Sequence, residues 1–214
     1  MSTKKKPVIM VSSTVYGIEE LLNRIYTLLT GFHYEVWMSH KGTMPVLSKR
    51  TSFENCIKAV ERCDLFLGLI TPYYGSGRDD DNISICHQEL RKAVELNKPR
   101  WLLAHDHVVF AHSLIKNLKY HKSGRAVTAR LTVKKTAVID DLRVIDMYQE
   151  AILSEKPLRD RQGNWVHKFQ STEDALLFAQ AQFSRYQEVE EFIRENLSDI
   201  AGVQASISGK GVCS

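Results

Sequence analysis

The stretch TPYYGSGRDDDNISICHQE, residues 71–89, sets hydroxyl, glycine, tyrosine and acidic side chains ahead of one carboxylate, Glu89, a turn into the helix that follows. A carboxylate at the mouth of a cleft can stabilise an oxocarbenium ion, or attack it, when a glycosidic C–N bond breaks. Ser84 and His87 lie beside Glu89 in sequence, and Tyr73 and Tyr74 lie upstream. The same residue has a plainer reading, because a Glu near a helix N-terminus is favoured by the helix dipole alone.

A second stretch, SSTVYG (residues 12–17), follows an apolar run. It offers Ser12, Ser13 and Thr14 as hydroxyls at a predicted helix start, where free N–H groups can hold a phosphate or carboxylate. N-capping accounts equally well for one of the three. The chain contains neither GxGxxG nor GxxxxGK[ST], which disfavours a dinucleotide dehydrogenase and a P-loop ATPase. His105, Asp106 and His107 place two imidazoles together, but a metal needs a third ligand and His112 stands at no fixed spacing, so no metal site is predicted. The run Asp79–Asp81 reads as a solvated lid. Cys56, Cys63, Cys86 and Cys213 form no CxxC pair and no zinc spacing, so they read as reduced thiols.

Elements that can position these groups follow from periodicity. PVIMVSS, YEVWM, DLFLGLIT and RWLLAH read as strands, the third apolar on both faces and therefore central. Between them, Val15, Ile18, Leu22, Ile25 and Leu29 recur at helical spacing. Thr51 and Glu54 make a capping box ahead of Phe53, Ile57 and Val60, and a third helix is predicted from about Ser84 to Leu96. Strand and helix thus alternate as right-handed crossovers do, which predicts a doubly wound parallel α/β sheet of about five strands. Extra helices are expected in the C-terminal half, over 108–118, from Val138 to Ile152, and from Thr172 to Ile193, with NWVHKF as a last strand. In such a sheet, ligands bind outside the carboxyl ends of the strands. The loops 12–17, 39–45 and 71–89 all fall there.

The chain of 214 residues fits one α/β domain, here predicted over 8–197 with a helical insertion at about 107–160, a basic tail at 1–7 and a flexible tail at 198–214. No apolar run approaches the roughly 20 residues needed to span a bilayer, and VIMV is too short for a signal-peptide core, so a cytoplasmic protein with no membrane partner is expected. The net charge of +4 hides an acid-free stretch between Asp106 and Asp140 that carries seven Lys and Arg residues. It reads first as a solvated face; an anion is the alternative, and nucleic acid is not the expected partner.

The segments VIMVSSTVYGIEELLNRIYTLLTGFHYEVWMS, SFENCIKAVERCDLFLGLITPYYGSG, DDLRVIDMYQEAI and GNWVHKF resemble the domain-of-unknown-function 4062 family over nearly the whole chain. That family is similar to TIR domains and, more distantly, to nucleoside deoxyribosyltransferases, which share a flavodoxin-like sheet. In TIR domains the helix after the third strand often reads Ser-x-Trp-Cys-x-x-Glu, and the Glu is catalytic in those that cleave NAD+. Cys86 and Glu89 keep that spacing, whereas Ile85 stands in the place of the Trp and Ile83 in that of the Ser. The resemblance implies Glu89 as catalytic residue. As nucleotide-binding residues it implies Ser12, Ser13, Thr14, Tyr16, Gly17, Trp37, Tyr74, Ser84 and His87, although a strand-end Trp such as Trp37 more often packs in the core. It also implies NAD+ as substrate with no separate cofactor, a hydrolase or cyclase reaction in bacterial antiviral defence, and self-association or a co-encoded protein partner. A non-catalytic oligomerising adaptor or sensor, and a deoxyribosyltransferase-like enzyme acting on nucleosides, are the competing readings.

Overall fold

Leu65–Ile70 is buried at every position, as a strand covered on both faces must be. It is the centre of the sheet in the computed structural model, which describes residues 6–75, 77–79, 81–119, 138–161 and 163–186. In chain order the elements are β1 (Val8–Ser13), α1 (Glu19–Gly31), β2 (Glu35–Trp37), α2 (Ser52–Arg62), β3 (Leu65–Ile70), α3 (Ile85–Glu95) and β4 (Arg100–His105). They continue with α4 (Asp106–Lys119), α5 (Arg143–Ala151), β5 (Asn164–Phe169) and α6 (Thr172–Phe183). Most of the basic stretch, the C-terminal tail, and Val189 and Ile193 of the expected last helix lie outside the described residues.

All five strands are parallel, in the order β2-β1-β3-β4-β5. The chain leaves β1 outward to β2 and then returns past β1 to β3, so the direction of winding reverses between β1 and β3. Alternate strand residues feed two cores. Met10, Phe66, Leu102 and Ala104 pack under α2, α3, α4 and α5. Ile9, Val11, Leu67, Trp101 and Leu103 pack under α1 and α6. The capping box at Thr51 and Glu54 forms as expected.

Two helices begin later than their spacing predicts. Val15 and Ile18 precede α1, whose first residue is Glu19. They are partly buried against the α1–α6 core, so they carry the apolar spacing without the helical backbone. Ser12 and Ser13 pair with Gly68 and Leu69 in the sheet, which extends β1 through the residues expected to cap that helix. Likewise α5 opens at Arg143, leaving Val138 and Leu142 outside it. Asp140 and Asp141 are engaged instead with the loop after β3: Asp140 Oδ1 accepts from the Tyr74 amide at 2.8 Å, and the Asp140 amide donates to the Pro72 carbonyl at 3.1 Å.

Candidate functional site

The helical period of α3 places Cys86, Glu89, Leu90 and Ala93 on one buried stripe against the sheet. One member of that stripe is a carboxylate. Glu89 is 3% exposed and meets Ser12, the residue of β1 that lies opposite Gly68 of β3. The Ser12 hydroxyl donates a short hydrogen bond to Glu89 Oε2. A Cβ at position 68 would come within 2.7 Å of Leu102 Cδ2, so the neighbouring strand is packed tightly there.

Burial pushes the Glu89 carboxyl up to about 7, while hydrogen bonds from Ser12 and Cys56 favour its charged form and hold the rise in check. Burial also pushes the Cys56 thiol up to about 12 and the Cys86 thiol well above its ordinary value. Both sulfurs stay protonated at neutral pH, which makes them donors and packing groups rather than nucleophiles.

Past Ser12, the loops after β1 and β3 interlock. Thr14 Oγ1 and Thr71 Oγ1 are 2.6 Å apart, and the Tyr16 and Tyr73 rings meet edge to face at 5.0 Å. Gly17 and Gly75 hold φ of +80° and +90°, and a Cβ on Gly75 would sit 3.0 Å from Thr14 Cγ2. Tyr16 is 70% exposed, the one aromatic candidate open to solvent. The loop 71–84 is not a free lid. Asp79 Oδ1 accepts from the Ile83 amide and Asp79 Oδ2 from Gln88 Nε2, both at 2.7 Å, and Arg78 pairs with Ser84 in an antiparallel bridge.

Tyr74 turns inward from the same loop. Its hydroxyl lies 2.8 Å from His87 Nδ1, and the guanidiniums of Arg78 and Arg143 lie 5.4 and 4.9 Å from its ring centre. Burial lowers the pKa of His87, with Glu150 pulling the other way. His87 Nε2 is 3.1 Å from Glu150 Oε2, without the alignment of a hydrogen bond. Arg91 grips Glu150 through two bonds of 2.8 and 2.6 Å. Arg91 and Glu150 also line, with Leu90, Val94, Asp146 and Leu153, a cleft of about 670 Å³ between α3 and α5.

The structure therefore joins Ser12 directly to Glu89, and gathers Thr14, Tyr16 and Gly17 against the third loop. It pairs Tyr74 with His87 as a separate buried unit. Ser84 is the N-cap of α3, its hydroxyl accepting from the His87 amide, and Ser13 donates to the Thr14 carbonyl. Trp37 is packed into the core under α2, with Nε1 donating to Glu35 at 2.8 Å. Helical spacing makes Cys56 a core thiol, as the structure has it, but does not connect it to Glu89. Sequence reasoning missed Asp140, Asp141 and Glu150, which no local pattern connects to the loop or to His87.

A parallel 2-1-3-4-5 sheet with polar, glycine-bearing loops at the β1/β3 reversal defines a flavodoxin-like doubly wound α/β protein, a fold in which ligands generally bind at that reversal. Residues 8–198 match the family described as a domain of unknown function, DUF4062, and the chain belongs to it. No curated protein matches the chain. Among the described residues, no helix is long and apolar enough to cross a membrane.

Proposed function

We propose that this protein breaks the N-glycosidic bond of NAD+ or a related nucleotide, with Glu89 as the group that stabilises the ribosyl cation. The observation that carries the reading is the desolvated Glu89 carboxylate, held by Ser12 at the β1/β3 reversal. A carboxylate in such surroundings interacts strongly with a developing positive charge. The chemistry suits a single acidic residue. When the C–N bond breaks, its electron pair passes to the pyridinium nitrogen, so nicotinamide leaves neutral and needs no proton donor. Water then adds to the anomeric carbon and gives its proton to the carboxylate. Tyr16, exposed beside Tyr73, would stack on a base, and the hydroxyls and amides of the loop 13–17 would meet phosphate oxygens. Glu89 is closed over in the free chain, so substrate entry requires the interlocked loops to part; self-association or a protein partner would supply that step.

The burial of Glu89 favours a second reading, in which the same fold senses or relays without turnover. A third, action on free nucleosides, is separated by substrate. The test is nicotinamide release from NAD+ by concentrated protein, with free nucleosides run in parallel. Release by wild type, falling by about 10²-fold or more in Glu89→Gln, is expected. Absence of release from NAD+, or equal release by the variant, contradicts the proposal, and turnover of nucleosides alone selects the third reading.

A further inference from the structure

At the carboxyl end of β4 the chain passes from strand to helix with no connector: His105 ends β4 and Asp106 opens α4. The two imidazoles therefore do not share a strand face. Instead His105, Asp106 and His107 each turn one donor atom toward a common point, all within 4.8 Å of one another. His105 Nδ1 lies 3.1 Å from Asp106 Oδ1, and His107 Nε2 lies 3.9 Å from it.

The hydrogen bonding of this group is incomplete. The His107 amide donates to His105 Nδ1 at 3.2 Å, so that nitrogen is an acceptor and carries no proton. The carboxylate oxygen facing it is also an acceptor, and it is buried with no hydrogen-bond partner. Two lone-pair-bearing atoms at contact distance repel unless a positive centre lies by them, and an orphaned buried carboxylate oxygen is costly. A proton on His105 Nδ1 would satisfy Asp106 only by giving up the His107 amide. A metal ion on that nitrogen, which has a single in-plane lone pair, displaces the His107 amide as well, but it engages the carboxylate and the second imidazole together.

We propose that His105, Asp106 and His107 bind a divalent transition metal of borderline softness, of which Zn2+ is the representative. Two imidazoles and one carboxylate are the donors such ions prefer. Ligand bonds of about 2.0–2.2 Å in a tetrahedral shell set donor atoms roughly 3.4 Å apart, between the two separations seen here. The closure needed falls to His107, which is half exposed and whose ring meets that of His105 edge to face at 4.6 Å. Three protein ligands leave one coordination position open to solvent. The α4 N-terminus works against a cation, a small effect beside direct ligation. His112 takes no part, since its ring packs edge-on against Tyr148. His105 contacts Phe169 on the α6 side of the sheet, opposite the face that holds Glu89, so the inference stands apart from the reading of Glu89.

The experiment uses the untagged full chain, freed of metal by chelator and dialysis. It is titrated with ZnCl2 by calorimetry and with CoCl2 by visible absorption. One equivalent of Zn2+ should bind at roughly micromolar affinity or tighter, with Co2+ giving the intense visible bands of a low-coordinate site. His107→Ala and Asp106→Asn should each weaken binding at least about tenfold. Because His107 is exposed in the first turn of α4, its variant keeps the fold, and far-UV circular dichroism verifies this. Absence of saturable binding, or wild-type affinity in both variants, overturns the site.

Discussion

At the residue scale, two titratable side chains of α3 are buried within one turn of each other and solve burial differently. Glu89 is held by two neutral donors, Ser12 and Cys56, and burial moves its carboxyl to about 7. His87 stays neutral between the Tyr74 hydroxyl and the Glu150–Arg91 pair. The Tyr74–His87 bond ties the loop after β3 to α3, the helix that carries Glu89. Tyr74→Phe removes the hydroxyl and leaves His87 Nδ1 without its partner, which should cost about 1–3 kcal/mol of stability in urea unfolding. A loss below about 0.5 kcal/mol would contradict that pairing. Spacing alone makes Glu89 a surface carboxylate at a helix start, and the structure instead buries it on one stripe with Cys86, Leu90 and Ala93. Its partner Ser12 is 77 residues away and emerges only when β1 and β3 are laid side by side.

At the scale of elements, the alternation of strands and helices was legible because each is a local apolar pattern. The starts of α1 and α5 were not, because tertiary contacts set them: β1 takes Ser12 and Ser13 into the sheet, and the β3 loop takes Asp140 and Asp141. The rule that ligands gather at strand carboxyl ends brought the first and third loops together in advance, and the structure adds that they interlock. Gly75 is the tightest point of that interlock. Its φ of +90° and the 3.0 Å approach to Thr14 leave no room for a side chain. Gly75→Ala should cost about 1–2 kcal/mol, lowering Tm by roughly 2–8 °C. Gly31→Ala, at the end of α1 with nothing within 4 Å, should leave Tm unchanged or raise it. Equal effects of the two substitutions would remove the steric argument for the loop contact.

At the scale of the whole molecule, the sheet separates Glu89, on the α2 and α3 side, from His105, which contacts Phe169 on the α6 side while Asp106 and His107 open α4 at the strand end. Belonging to a family without an assigned activity leaves function to be argued from the first of these, and that argument depends on Glu89 being a desolvated carboxyl. Linkage makes this measurable. A carboxyl raised from 4.5 to about 7 by folding contributes its full stability below 4.5 and loses it as pH rises through 7, a change of about 3 kcal/mol. The contribution of His87 runs the opposite way, being lost on acidification, but it is common to wild type and Glu89→Gln and cancels in their difference. The decisive measurement is therefore the unfolding free energy of both proteins from pH 4 to pH 8. The gap should be small at the acid end and widen to about 3 kcal/mol in favour of Glu89→Gln by pH 8. A gap that does not change across that range would contradict a desolvated carboxyl at the β1/β3 reversal, and the proposed chemistry with it.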